Sequence, residues 1–247
     1  MTIQEAENNL ILKYLSGSIT YGTNREDSDI DIRGIFVPSK EYWIGLHTVE
    51  QIVDQSKYND IIYYNIKKFF NLALNANPNI LEGLWLLPNH YLWNGVPKHL
   101  QQFGKLLIEN RNIFLSKKCR YSYCGYSYAQ IKRMKSLNKN IGQNKKRLES
   151  FEKFGWDTKN GMHCIRLLKQ GLEILVDGEL HVFRHDIKLL KEILNGEYTY
   201  EQVVEMFNKY EALIEEAYIK SSLPSKPDFY KAEQLLLEIV EGHELLT

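Results

Sequence analysis

The chain has 247 residues, and 31 Lys and Arg balance 31 Asp and Glu, so its formal charge at pH 7 is zero. At 44% hydrophobic and 12% aromatic residues it is too apolar for a disordered chain, and it is long enough to form a core without disulfides or a structural metal. No run approaches the roughly 18–20 apolar residues of a membrane span, and the opening MTIQEAENNL lacks the basic end and apolar run of a secretory signal, so a cytoplasmic protein is expected.

Residues 10–15 form a short apolar run bounded by Ser16-Gly17-Ser18, which predicts a strand by length and flanks. Residues 30–37 alternate and then turn apolar until Pro38, a second strand; 49–53 and 60–64 are further β candidates. From Tyr64 the period becomes helical, with Ile66, Phe69, Phe70, Leu72 and Ala73 on one course that Asn77-Pro78 ends. A second helix is expected over 80–86. Beyond Pro97 the strand signals nearly vanish, and 98–109, 116–137, 160–176, 186–194, 199–220 and 227–240 suit helices. Asp186 and Thr199 are expected N-caps, and Gln202 completes a capping box for the second. Residues 136–156, rich in Lys, Asn and Gly, read as a loop or irregular helix pair. The expected fold is α+β: a small mixed-sheet head over 1–97 and a mostly helical region over 98–247.

Charge is distributed unevenly along this plan. Residues 1–97 hold 7 basic and 11 acidic side chains, 98–170 hold 17 and 4, and 171–247 hold 7 and 16. The neutral total therefore hides a middle zone of net +13. Within it Lys117, Lys118, Arg120, Lys132, Arg133 and Lys135 flank Tyr121, Tyr123, Tyr126 and Tyr128, a mixture of phosphate-neutralising cations and rings on which bases stack. Lys132 shares a helix face with Tyr128. His163, Arg166 and Lys169 recur at three-residue steps, a polar stripe that is a candidate lining for a nucleotide. Solvated helix faces are the plainer reading of both features. Cys119, Cys124 and Cys164 fit no zinc spacing and are too few for a disulfide framework; they read as thiols in a reducing compartment.

The stretch richest in chemistry runs from Gly17-Ser18 to Asp29-Ile30-Asp31. Glycine lets backbone N–H groups approach a phosphate, and the serine hydroxyl adds a donor. Residues two apart on a strand face one side, so Asp29 and Asp31 are expected to converge and to need cations between them. Mg²⁺ takes such oxygen ligands together with substrate phosphates, and two ions about 3.5–4 Å apart suit an in-line displacement. An isolated D-x-D is common on solvated strands; the order G-S-x3-G-x5-S-D-x-D, followed by Arg33-Gly34-Ile35-Phe36, is far more specific.

That order resembles the polymerase-β-type nucleotidyltransferase superfamily, and more closely the predicted nucleotidyltransferases of bacteria and phages found in RNA-repair gene neighbourhoods. Four further segments match in order: Lys67-Lys68-Phe69 through Asn77-Pro78-Asn79-Ile80-Leu81-Glu82, Cys124-Gly125-Tyr126-Ser127-Tyr128-Ala129-Gln130, His163-Cys164-Ile165-Arg166-Leu167-Leu168 with Gly178-Glu179-Leu180, and Leu223-Pro224. The resemblance implies transfer of a nucleoside monophosphate from an NTP such as ATP to an acceptor hydroxyl, with RNA the expected partner. A protein side chain or a small molecule is the alternative acceptor, and a catalytically silent nucleotide- or RNA-binding module the alternative of another class. It implies that Gly17, Ser18 and Ser28 contact the nucleotide, and that Asp29, Asp31 and a third carboxylate hold two Mg²⁺ or Mn²⁺ ions. Asp60 is the expected third carboxylate and Asp54 its competitor; Glu82 is expected to orient a neighbour. Arg33 is a candidate for phosphate contact or for a salt bridge to a catalytic Asp. Tyr126, Lys132, His163 and Arg166 complete the nucleotide-binding candidates.

Overall fold

The first strand is prepared by a short helix. Thr2 accepts the Glu5 N–H while the Glu5 carboxylate accepts the Thr2 N–H, a reciprocal cap that starts α1 (Ile3–Asn8). The structure, a computed structural model, describes residues 1–26, 28–56, 59–136 and 145–247, with backbone alone at 55, 56, 59, 145 and 146. Contacts divide the chain into two units, residues 1–114 with 227–247 and residues 115–226. The first carries 11 basic and 17 acidic residues and the second 20 and 14, net −6 and +6.

In the first unit, β1 (Leu10–Ser16), α2 (Ser18–Tyr21), β2 (Ile30–Phe36), β3 (Gln51–Ser56) and β4 (Asn59–Asn65) follow in order. They form one four-stranded sheet, β1-β2-β4-β3, parallel only between β2 and β4. Strand alternation then divides the side chains. Leu10, Phe36 and Tyr63 join Ala6 and Val96 in an apolar cluster, with Ile32, Ile52 and Ile61 packed against it. The register pairs Tyr14 with Arg33 and Ile35 with Tyr64, which puts these on the other face.

Asn65 ends β4 and starts α3 (Ile66–Leu74): its carboxamide oxygen accepts the Lys67 N–H, and its amide donates to the Val49 carbonyl. The predicted helical course buries Ile66, Phe69, Phe70 and Ala73, the large side chains contributing roughly 1.5–3 kcal/mol each. The helix expected over 80–86 is shorter. α4 (Pro78–Leu81) is capped by Asn77 and passes into one 3-10 turn, Glu82–Leu84; Leu87, extended ahead of Pro88, stops any continuation. α5 (Gln101–Glu109) packs on β1.

The second unit is helical: α6 (Cys119–Met134), α7 (Lys145–Phe154), α8 (Thr158–Asp177), α9 (Ile187–Leu194) and α10 (Tyr200–Lys220). Residues 137–144, part of the stretch read as a loop or irregular helix pair, lie outside the described residues. α8 runs through the middle, against α6, α9 and α10, and buries Ile165, Leu168 and Leu175. Thr199 and Gln202 form the expected capping box. Asp186 stands at the N-cap of α9 but makes no cap bond, because Lys169 and Arg184 take its carboxylate.

The chain returns to the first unit as α11 (Phe229–Glu244), which packs against α3 and α5. There His243 is buried, its Nε2 without a hydrogen-bond partner among the described residues and its ring 6.4 Å from that of Phe103. Burial, with nearby His99, brings its pKa down to about 4. As pH falls, the unfolded chain takes this proton near 6.5 and the folded chain only near 4, so stability declines across that window. The expected loss is about 1–3 kcal/mol, and His243→Leu should flatten it in urea titrations at successive pH values. Among the described residues no helix is long and apolar enough to cross a membrane.

Candidate active site

Gly17 is where β1 gives way to α2. Its φ of +73° is one that glycine adopts without strain, and an added Cβ would overlap Asp31 Oδ2. The turn after it is pinned locally: the Thr20 N–H and hydroxyl both donate to the Gly17 carbonyl, and the Thr23 N–H donates to that of Ser18. Ser18 and Gly17 remain partly exposed beside Asp31. Farther off, the Tyr21 hydroxyl donates to Glu82 Oε2 at 2.7 Å with both residues buried, so Glu82 braces the turn that holds Ser18.

The two carboxylates brought level by the sheet are Asp31 and Asp60. Asp31 pairs with Ser16 on one side and with Asp60 on the other, so all three occupy one row and face the same way. Asp54 is paired with Ile61, one position out of phase, and therefore faces the opposite side with Tyr63. Asp29 is exposed and lies one residue ahead of β2, outside the pairing that orients Asp31. Ser28 shapes that approach: its hydroxyl accepts the Arg25 N–H at 2.8 Å, and its own N–H donates to the Arg25 carbonyl.

Arg33 lies two residues beyond Asp31 and reaches back along the same face. One guanidinium nitrogen donates to the carbonyls of Ile32 and Asp60 at 2.9 and 2.6 Å; the other donates to Asp60 Oδ2 at 2.9 Å and stands 3.8 Å from Asp31 Oδ1. Beside Arg33 at the same register is Tyr14, wholly buried, its phenol held neutral by burial that pushes its pKa far up. Asp60 Oδ1 is buried and, among the described residues, has no hydrogen-bond partner. An unsatisfied carboxylate oxygen costs about 1–3 kcal/mol or more, and this one lies in the row that includes Asp31. Among the described residues no three His, Cys, Asp or Glu side chains converge as a metal cage. Mg²⁺ needs none: one or two carboxylates with waters and substrate phosphates suffice, and Asp31 with the free Asp60 oxygen fits that donor set.

The remaining candidates belong to the second unit. Tyr126 and Lys132 are exposed on α6, Lys132 with its ammonium 4.4 Å from the Tyr128 ring centre. Tyr121 and Tyr128 are also exposed. The α8 stripe turns inward. Arg166 is 3% exposed and donates to Gln170, whose amide holds the His181 carbonyl. His163 is brought well below its ordinary pKa by burial first and then by Arg166, Lys159 and Arg147, and is neutral at pH 7. Lys169 pairs with Asp186 at 2.6 Å. Burial pushes the Cys119 and Cys164 thiols up to about 11 and about 12, and Cys124 upward too, so none is a nucleophile at neutral pH.

Two features of this arrangement were not apparent in the sequence. The alignment of Asp31 with Asp60 depends on the register of two strands whose paired residues lie 29 apart in sequence, and the Arg33 grip on the Asp60 carbonyl follows from it. Strand parity could have set Asp54 apart from Asp60 only once the β3–β4 register was known.

The family model of RlaP, the RNA repair pathway DNA polymerase beta family, matches residues 2–227. The uncharacterized protein YcgL of Bacillus subtilis (strain 168) is 33% identical over 73 residues, 29% of this chain and 27% of that protein. An uncharacterized 38.9 kDa protein encoded in the nrdC-mobD intergenic region of Enterobacteria phage T4 is 30% identical over 125 residues, 47% of this chain and 36% of that one. The matched regions thus span about a third of these relatives' own lengths. The crystal structure of a nucleotidyltransferase-like protein from Exiguobacterium sibiricum 255-15 is 12% identical, with a TM-score of 0.30 over 96% of this chain and 76% of that one. With a family model matching most of its length, the chain belongs to the RNA repair pathway DNA polymerase beta family.

Proposed function

We propose that the protein is a metal-dependent nucleotidyltransferase that moves a nucleoside monophosphate from an NTP to a hydroxyl of RNA. The observation that carries this reading is the row of Asp31 and Asp60 beside the Gly17-Ser18 turn, with one buried Asp60 oxygen left open. Gly17 and Ser18 would hold the β- and γ-phosphates. Asp31, Asp60 and, once substrate is present, Asp29 would hold Mg²⁺ or Mn²⁺. The metal would neutralise the triphosphate and lower the pKa of the attacking hydroxyl. The acceptor oxygen bonds to the α-phosphorus in line with the bond to the bridging oxygen, which breaks as pyrophosphate leaves; the hydroxyl proton passes to Asp60.

RNA is favoured as acceptor by the second unit. From Leu115 to Leu148 there are 10 Lys and Arg and no Asp or Glu, and α6 presents Tyr121, Tyr126, Tyr128 and Lys132 to solvent. Cations with exposed rings suit a single strand, by charge along its backbone and stacking under its bases.

The test incubates the full chain with Mg²⁺ or Mn²⁺, each labelled NTP, and total RNA or lysate. Label in RNA that depends on the divalent ion supports the reading. Label in protein moves the acceptor to a side chain, and label in neither, with wild type matching Asp31→Asn, removes the enzymatic reading. RNA affinity should fall steeply with salt as phosphate contacts release counterions; salt-insensitive binding would count against a nucleic-acid acceptor.

A further inference from the structure

Two ionised carboxylates side by side on adjacent strands repel, about 5 Å apart at the backbone. Something must hold Asp31 and Asp60 in one row before a divalent ion arrives. Resting on the reading of these two residues as a metal pair, we infer that Arg33 is its positioning residue: the guanidinium clamps Asp60 by both its carbonyl and one carboxylate oxygen, and leaves the other oxygen directed to the metal.

The geometry divides the work between the two oxygens of Asp60. Oδ2 is taken by Arg33 at 2.9 Å, whereas Oδ1 is buried and open. Carboxylate ligands are themselves hydrogen-bonded from outside, which fixes their rotamer and the direction of the free lone pairs. Arg33 does this from a rigid base. It sits in mid-strand, its side chain is 15% exposed, and a second nitrogen is tied to the Asp60 carbonyl at 2.6 Å. At 3.8 Å from Asp31 Oδ1 the same positive charge screens one carboxylate from the other. Lysine, a point charge without the planar fork, keeps the screening but cannot hold the carbonyl and the carboxylate together. Arg33 on this account touches neither substrate nor reacting atoms, and its contribution is the direction of one ligand.

The role makes a signed prediction about metal affinity, separate from turnover. Mn²⁺ binding to the full chain is measured by calorimetry and by electron paramagnetic resonance for wild type, Arg33→Met, Arg33→Lys, Asp31→Asn and Lys68→Met. Lys68→Met, which removes an exposed ion pair with Glu50, is the control. Arg33→Met is expected to weaken Mn²⁺ binding by about 10–100-fold, with Arg33→Lys between it and wild type. If Arg33 merely occupies the place of the ion, Arg33→Met binds Mn²⁺ more tightly, and the inference is overturned. Unchanged affinity in a folded Arg33→Met, or wild-type affinity in Arg33→Lys, overturns it as well. If Arg33→Met does not fold, Arg33→Lys alone decides. Should wild type and Asp31→Asn bind Mn²⁺ equally, the metal pair itself fails, an outcome distinct from loss of the Arg33 effect alone.

Discussion

Asp31→Asn and Asp60→Asn should each reduce nucleotide transfer by roughly 10³-fold or more, while Asp54→Asn stays close to wild type. Asparagine keeps the shape of the side chain and removes the charge, so the contrast isolates electrostatics from packing. Asp31 and Asp60 share a row on one face of the sheet, and Asp54, only six residues before Asp60, points to the other face. Distance along the chain therefore predicts nothing here, and parity does. Asp60→Asn also deprives Arg33 of its charged partner, so its loss should show in metal affinity as well as in rate. Asp29→Asn is expected to lose activity through the metal and phosphates it would hold, although the strand pairing does not orient it. The measurement is a single-turnover assay with labelled NTP at saturating Mn²⁺. Equal activity in Asp54→Asn and Asp60→Asn would show that the row is not the reactive centre.

The largest stability effect is expected at Arg184. This side chain is 0% exposed, donates to both oxygens of Glu173 at 2.6 and 2.7 Å, and donates to Asp186 at 2.9 Å and to the His181 carbonyl at 3.0 Å. It ties the segment after α8 back onto that helix, and Lys169 completes the network on Asp186. Arg184→Met would leave two largely buried carboxylates short of a partner, a loss of about 3–5 kcal/mol when one member of a buried pair is removed. Glu173→Leu alone should cost a similar amount. The double variant should cost clearly less than the sum, because neither charge is then left facing an apolar partner. Urea unfolding of the full chain, followed by a signal from the second unit such as Trp156 fluorescence, measures all three. Strict additivity would mean that the pair does not act as a unit.

Much of the fold could be read locally. The strands near 10–15, 30–37 and 60–64, the helix after Tyr64 and the Thr199 capping box are all present. Each depends on an alternation, a helical period or a cap within a few residues, which is where short-range sterics act. Where a local signal met a tertiary competitor, the competitor prevailed. Asp186 gave its carboxylate to Lys169 and Arg184 and did not cap α9; the helix expected over 80–86, by contrast, ended early for a local reason, the extended Leu87 ahead of Pro88.

The same division runs through the site. The motif Gly17-Ser18 … Asp29-x-Asp31, the family and the basic middle of the chain were determined by residue order and composition alone, since each is a property of contiguous sequence. Which acid stands beside Asp31, that Arg33 turns to Asp60, and that Arg166 and Lys169 of the α8 stripe are engaged by Gln170 and Asp186 were decided only by the tertiary structure. Periodicity reports which face of an element is polar, but not what covers that face. The register of strands far apart in sequence is set by the burial of their apolar sides against the rest of the core, and the polar row is carried into place with them.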